Sequence, residues 1–241
     1  VHRKSLSILI VGILILGVAF GAYKFAFHPN LSNWKKQKIV ITDVDTDVKV
    51  VALSFDDGPD PINTPLILEA LERHNAKATF FVLGIKSERY PFLIKKIIAD
   101  GHEIGNHTYS HPDFHNQSEE SMLKEIKKCS DIIYKLTGQF PSLFRPPGGF
   151  LSHDLVDLVK NEGLTIAYWT YQQDSRDWKG KSAAQISDHI EKHISPGQII
   201  ILHDGSPNGI ETAKALDILI PKLKEEGYEF VTITELVNLG K

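Results

Sequence analysis

The chain has 241 residues, of which 42% are hydrophobic and 24% are charged, a length that suits one sizeable domain or two small ones. This hydrophobic content excludes a disordered chain, and the formal net charge of −3 argues against nucleic acid as a partner. The single cysteine, Cys129, excludes an intramolecular disulfide framework and a cysteine-rich metal cluster, which leaves 11 histidines as candidate metal ligands.

The first 27 residues predict a membrane segment. Residues 6–23 carry no charged side chain, and with the apolar residues around them they approach the ~20 residues that cross a bilayer. Arg3 and Lys4 supply the positive flank that favours the cytoplasmic side. We therefore expect residues 1–27 to be a single transmembrane helix in the cell membrane, with the rest of the chain outside the cytoplasm. The alternative is secretion after cleavage of a signal peptide, since Ala19-Phe20-Gly21 offers a small-x-small pattern.

Two regions follow the membrane segment. Residues 28–48 are polar and charged, which predicts a stalk that includes one short edge strand at residues 38–42. From residue 49 to residue 241, short apolar runs alternate with segments of helical period, which predicts one βα domain. The expected strands are residues 50–55, 78–83, 102–106, 143–145, 165–169, 198–202 and 228–233. The expected helices are residues 64–75, 90–100, 118–137, 152–162, 183–193, 209–226 and 234–239.

This series fits two α/β architectures. An open doubly wound sheet is one, but no glycine-rich phosphate loop follows the first strand, which weakens its dinucleotide-binding version. A closed (β/α) barrel of about seven strands is better supported, because acids, histidines and an arginine follow five of the strands. In a barrel the carboxyl ends of all strands open on one face, where the active site lies.

Two histidines and two acids near strand ends predict a metal centre. His107 and His111 are spaced i, i+4, so a helical turn would place both rings on one side. Pro112 limits any helix here to one turn, so we expect the pair on a loop. Asp56 and Asp57 repel one another, so burying both requires a nearby cation. Two histidines and a carboxylate form a common zinc set, and the other carboxylate can take a proton from water. The competing interpretations are a structural histidine pair and an Asp-Asp-Gly-Pro turn.

An arginine and a third histidine complete the candidate site. Arg145 lies between a short apolar strand and two prolines, where its burial requires a carboxylate partner, for which Asp56 is the candidate. His203 follows a buried strand, so we expect its ring at the rim. Its predicted orienting acid is Asp174, with Asp177 as the second choice.

These residues fall in five ordered motifs, and residues 48–236 resemble the polysaccharide deacetylase family, which is also called carbohydrate esterase family 4 or the NodB homology domain. The motifs are residues 54–59 (Ser-Phe-Asp-Asp-Gly-Pro), 107–111 (His-Thr-Tyr-Ser-His), 145–147 (Arg-Pro-Pro), 174–178 (Asp-Ser-Arg-Asp-Trp) and 202–204 (Leu-His-Asp). The third motif continues with Gly148-Gly149 where many family members have Tyr-Gly, which removes an aromatic side chain from the groove.

The resemblance implies a distorted (β/α) barrel that binds a divalent metal, with zinc expected and cobalt as the alternative. Its metal ligands would be Asp57, His107 and His111.

The resemblance also assigns the proton-transfer roles. Asp56 would be the general base, tuned by Arg145, and His203 would be the general acid, tuned by Asp174.

The resemblance also implies which residues lie near the substrate. The backbone N–H of Gly148 would face the developing oxyanion, and Leu202 belongs to the last motif. Trp178, which from the sequence alone could equally be a core residue, would line the substrate pocket.

The implied activity is removal of the N-acetyl group from N-acetylglucosamine-type residues, and a membrane anchor favours peptidoglycan as the polysaccharide partner. We expect a monomer. One alternative is an O-acetyl polysaccharide esterase. Another is a glycan-binding envelope or sporulation protein with a weakened site.

Overall fold

The computed structural model describes residues 30–240, and its centre is a curled parallel β-sheet. Seven strands follow the order β1-β6-β5-β4-β3-β2-β7, and an eighth strand pairs with the start of β2. The strands are β1 (Val40–Ile41), β2 (Val50–Gly58), β3 (Ala78–Val82), β4 (Glu103–Asn106), β5 (Leu143–Phe144), β6 (Thr165–Ala167), β7 (Ile199–His203) and β8 (Glu229–Phe230).

Helices connect the strands and cover the sheet. They are α1 (Leu31–Lys36), α2 (Asn63–Arg73), α3 (Gly84–Arg89), α4 (Pro91–Ala99), α5 (Glu119–Thr137), α6 (His153–Asn161), α7 (Ala183–Lys192), α8 (Gly209–Glu225) and α9 (Ile233–Asn238). All seven predicted helices are confirmed, with ends that differ by a few residues. Several begin at the hydroxyl caps that the sequence offers, such as Ser118 and Ser182, whose side chains accept backbone N–H groups.

The strands are apolar because both of their faces are covered. Residues 50–56 of β2 and all of β3 are buried, which is the pattern of a parallel sheet packed between helices and a filled interior. The largest apolar cluster joins the outward face of β2, including Leu53 and Phe55, to α2, α4, α7 and α8.

The predicted barrel is only partly regular. Within residues 30–240 no strand ladder joins β1 to β7, the two ends of the sheet path. Irregular backbone contacts span that gap: Val44 N–H donates to Gly197 O at 2.8 Å, and Thr170 N–H donates to Ile199 O at 2.9 Å. The result is a distorted (β/α) half-barrel with one irregular side.

Much of the predicted stalk packs against the domain. Leu31–Lys36 form α1, whose Trp34 is buried in an apolar cluster with Val40 and Leu155. The predicted edge strand is present as Val40–Ile41, which pairs with β6.

The predicted transmembrane helix over residues 1–27 lies outside the described residues. Within residues 30–240, no helix has the length and apolarity needed to cross a bilayer.

Candidate active site

The polar strand ends meet around one cavity of about 480 Å³. Because every ladder in the sheet is parallel, the ends of β2, β4, β5 and β7 reach the same rim. Eight of the ten predicted site residues line the cavity: Asp56, Asp57, His107, His111, Gly148, Asp174, Trp178 and His203. Arg145 and Leu202 do not line it.

A β-bulge explains how Asp56 and Asp57 both reach the cavity. Successive side chains of a regular strand point to opposite faces. In β2, however, Asp56 pairs with Phe81 and Gly58 pairs with Val82, so Asp57 is an extra residue in the ladder. The φ angle of Asp57 is +70°, a left-handed conformation that non-glycine residues rarely adopt. This local strain turns two adjacent carboxylates toward one site.

Asp57, His107 and His111 form a group with the geometry of a metal site. The three candidate ligand atoms lie within 4.8 Å of one another. Asp57 Oδ1 is 3.4 Å from His107 Nε2 and 3.4 Å from His111 Nε2, and this buried oxygen has no hydrogen-bond donor. An orphaned carboxylate oxygen facing two imidazole nitrogens fits a divalent ion, and the set leaves coordination positions for water and substrate.

The surroundings of His107 prepare it as a ligand. Its Nδ1 donates to the backbone oxygen of Arg145 at 2.7 Å, which directs Nε2 toward Asp57. Burial disfavours a charged His107, but the facing carboxylates of Asp56 and Asp57 outweigh it and raise the pKa of His107. Burial favours the uncharged form of Asp57, but the imidazole of His107 outweighs it and keeps the pKa of Asp57 below its usual range. The centre therefore favours a cation.

Arg145 pairs with Asp56, as the sequence predicted. Both side chains are buried, at 0% and 3% exposure, and Arg145 Nη1 donates to Asp56 Oδ1 at 2.7 Å. The guanidinium also donates to Ser54 Oγ, Ala167 O and Tyr168 O, each at 2.9 Å. Because its donors are satisfied on several sides, Arg145 fixes the position of Asp56 from beneath the cavity.

The acid that orients His203 is Asp177, so the prediction of Asp174 is wrong. Asp177 Oδ1 lies 2.8 Å from His203 Nδ1. Asp174 instead accepts the backbone N–H of Arg176 at 2.9 Å while lining the cavity. The cause lies in the loop after β6, which turns through a left-handed Arg176 and carries Asp177 into the buried interior, where its exposure is 0%.

The protonation of His203 follows from that contact. Burial opposes the charge of the imidazole, but the hydrogen bond and the charge of Asp177 outweigh it and raise the pKa of His203 to about 9. His203 pairs with Asp56 in the register of β7 with β2, so the two side chains stand side by side on one face of the sheet. A protonated imidazole and a carboxylate thus flank the metal triad.

Two of the three predicted substrate residues face the cavity, and one does not. Gly148 lines the cavity in a left-handed conformation with φ +59°, and Trp178, a residue that is 47% exposed, also lines it. Leu202 is fully buried in the main apolar cluster, so its prediction as a substrate residue is wrong. The alternation of β7 gives the reason, because Ile201 and His203 point into the cavity and Leu202 points to the other face.

Ser54 and Trp169 are among the further contributors for which no role was predicted. Ser54 accepts a hydrogen bond from Arg145, and Trp169 forms part of the cavity wall. The period of β2 contains a signal for Ser54, since it lies two residues before Asp56 and therefore on the same face.

Comparison with known proteins places this geometry in a family. Residues 43–167 match the family model described as polysaccharide deacetylase. A peptidoglycan-N-acetylglucosamine deacetylase of Bacillus cereus is 39% identical over 199 residues, which is 83% of this chain and 93% of that protein.

Two solved structures show the same fold. A peptidoglycan N-acetylglucosamine deacetylase in complex with 4-naphthalen-1-yl-N-oxidanyl-benzamide matches with a TM-score of 0.81 and 36% identity, covering 86% of this chain and 97% of that one. A family 4 acetyl xylan esterase from Clostridium thermocellum, in complex with cobalt, matches with a TM-score of 0.73 and 39% identity, covering 79% and 91%. The motifs, the fold and these matches agree, and the chain belongs to the polysaccharide deacetylase family.

Proposed function

We propose that the protein is a metal-dependent deacetylase that removes the N-acetyl group from N-acetylglucosamine-type residues of cell-wall polysaccharide, with peptidoglycan as the substrate. The observation that supports this most strongly is the metal triad, with a buried carboxylate and a protonated imidazole standing side by side in the same cavity. Amide hydrolysis needs both a base that activates water and an acid that protonates the leaving nitrogen.

Asp56 is the proposed base. Its Oδ1 is occupied by Arg145, and its Oδ2 lies 3.9 Å from His107 Nε2, on the cavity side. Asp57 is the proposed carboxylate ligand, so Asp56 remains able to accept the proton of the attacking water. Arg145 keeps that carboxylate oriented.

His203 is the proposed acid. Asp177 holds Nδ1, so Nε2 is the nitrogen that can donate to the sugar nitrogen as the acetyl group departs. At neutral pH the raised pKa keeps this imidazole protonated before the step begins.

Asp57, His107 and His111 would hold a divalent ion, for which we propose zinc, and the family match to a cobalt-containing structure is consistent with cobalt as a substitute. Such an ion would polarise the acetyl carbonyl and lower the pKa of water. Gly148 lines the same cavity, and we propose that its backbone N–H donates to the developing oxyanion.

The experiment measures acetate released by the zinc-loaded full chain from peptidoglycan, chitooligosaccharide and acetylxylan. We expect the highest kcat/KM on peptidoglycan and a loss of acetate release after chelation. The similarity to an acetyl xylan esterase favours O-deacetylation as the second candidate function. A clear preference for acetylxylan would establish that second function, and release of acetate from none of the three would contradict both.

The proposed location is the outer face of a cell membrane. Its support is the sequence alone, in the uncharged residues 6–23 and the basic residues before them. Fractionation of cells that express the full chain, followed by protease treatment of intact cells, tests this. Membrane-bound protein that external protease digests agrees with the proposal, and a released product that lacks the first residues would indicate signal-peptide cleavage.

A further inference from the structure

A second cavity of about 430 Å³ adjoins the active site. Trp169 and Asp174 line both cavities, so the two spaces share one wall. The outer edge of the second cavity includes Tyr171, a residue that is 83% exposed. A glycan whose acetyl group lies at the metal triad can therefore extend into this space with its next sugar unit.

The second cavity has a basic lining. Arg176 and Lys181 bring two basic side chains, and the acidic side chain of Asp174 opposes them. Within the described residues, the Arg176 guanidinium makes no hydrogen bond or ion pair, and Arg176 is an exposed residue. The Asp174 carboxylate is engaged by the backbone N–H of Arg176. The basic side chains of the lining outnumber the acidic one, which favours the binding of an anion in the second cavity.

The other polar groups of the cavity are held in place. Lys181 Nζ donates to Ser175 O at 2.5 Å, and His189 Nε2 donates to Gln172 O at 3.1 Å. His193 Nδ1 donates to His189 O at 2.8 Å. Burial lowers the pKa of His189, so this imidazole is a neutral polar group rather than a further cation. The unpaired guanidinium is thus the principal group available to a ligand.

We propose that this second cavity binds a carboxylate carried by the sugar unit next to the one being deacetylated. A guanidinium matches a carboxylate with two parallel hydrogen bonds. In peptidoglycan two groups supply this chemistry, the lactyl group of the muramic acid and the peptide attached to it. Chitin-like glycans have neither. The proposal rests on the proposed function, and it makes Arg176 a determinant of specificity for acidic glycans.

The test removes the charge without disturbing the backbone. Arg176 has φ +53°, and asparagine tolerates this left-handed region better than most residues, so Arg176→Asn is the suitable variant. Arg176→Lys retains the charge. Lys192→Gln is the matched control, because Lys192 is an exposed cation at the end of α7 that lines neither cavity.

Three substrates distinguish the sources of the carboxylate: chitotetraose, a peptide-free muramyl tetrasaccharide with its lactyl groups free, and the same tetrasaccharide with its peptides. For Arg176→Asn we expect KM to rise about tenfold on the acidic substrate that uses the cavity, since the variant loses hydrogen bonds between two charged groups. We expect kcat to be unchanged, and kcat/KM on chitotetraose to stay within about twofold. Arg176→Lys should recover part of the loss, and added salt should weaken the wild-type preference for the acidic substrate.

Calorimetric titration with the same oligosaccharides separates this proposal from the proposed function. If the wild-type protein binds the acidic oligosaccharides more tightly than the neutral one but releases no acetate, the proposed function is contradicted and the anion site is supported. Equal effects of Arg176→Asn and Lys192→Gln, or an equal loss on neutral and acidic substrates, would overturn the anion site.

Discussion

The carboxylate of Asp177 holds His203 at two points: Oδ1 lies 2.8 Å from ring Nδ1, and Oδ2 accepts the backbone N–H of His203 at 2.8 Å. Thr212 donates to the same Oδ2 at 2.8 Å, so the carboxylate itself has a fixed orientation. This arrangement sets both the direction and the charge of the imidazole.

Substitution of Asp177 should change the pH dependence of catalysis. The pKa of His203 is raised to about 9, and an acid works only while protonated, so wild-type activity should persist through neutral pH and fall as the pH rises toward 9. Asp177→Asn removes the charge that raises this pKa, so the alkaline limb should move to lower pH. We expect kcat/KM at pH 8 to fall by about 10²-fold. A pH profile of kcat/KM for both proteins measures this.

Asp174→Asn is the control for that experiment. Asp174 lines the cavity but contacts the backbone of Arg176 rather than His203. The alkaline limb in the pH profile of Asp174→Asn should therefore stay near the wild-type position. If Asp174→Asn moved the limb and Asp177→Asn did not, the assignment of the orienting acid would be reversed.

The buried pair of Arg145 and Asp56 should be strongly coupled in stability. Arg145→Met leaves the Asp56 carboxylate buried without its cation, which should lower the free energy of unfolding by about 3–5 kcal/mol. Asp56→Asn removes the charge that Arg145 compensates, so the double variant should be less destabilised than the sum of the two single changes, with a coupling of about 0.5–3 kcal/mol. Urea unfolding of the wild type, the two single variants and the double variant measures this coupling. Strict additivity would show that the pair does not act as a unit.

Metal binding should depend on the triad and stabilise the fold. We expect zinc to raise the thermal midpoint of the wild-type protein and a chelator to lower it, because a ligand that binds only the native state stabilises it. His107→Ala and Asp57→Asn should each lose the bound zinc and this thermal shift. His115→Ala, an exposed histidine outside the cavity, should retain both. Full zinc content in His107→Ala would disprove the ligand assignment.

Trp34 should contribute to the stability of the domain although it lies in the segment predicted as a stalk. Its ring is buried with Val40 and Leu155, and removing a buried tryptophan side chain typically costs about 3–5 kcal/mol. Trp34→Ala should therefore lower the midpoint of denaturant unfolding. Exposed Tyr171→Ala is the comparison, with little change expected. An unchanged midpoint for Trp34→Ala would mean that α1 does not stabilise the fold.

The order of strands and helices could be predicted from the sequence because apolar runs and helical periods are local signals. Two helices, α1 and α3, were not predicted, since six residues are too few to show a period. The sequence predicted a barrel from its polar strand ends. The irregular join between β1 and β7 depends on loop contacts such as Val44 with Gly197, which no local pattern encodes.

The sequence predicted which residues form the site better than it predicted which of them contact one another. The motifs located Asp57, His107 and His111, and the structure brings them together. The bulge at Asp57 depends on how β2 pairs with β3, a tertiary property. Choosing between Asp174 and Asp177 required the path of the loop, whereas strand alternation already contained the signal that Leu202 faces away from His203.

The division of roles between Asp56 and His203 is tested most directly by comparing an N-acetylated sugar with an acetyl ester that has a good leaving group, using zinc-loaded wild type, Asp56→Asn and His203→Ala. Both variants should retain the wild-type zinc content. Asp56→Asn should lose about 10²–10⁴-fold in rate on both substrates, since water must be activated in each case. His203→Ala should lose a similar factor on the amide and much less on the ester, whose leaving group departs without a proton. Equal losses of His203→Ala on both substrates, or loss of its zinc, would contradict the division of roles between Asp56 and His203.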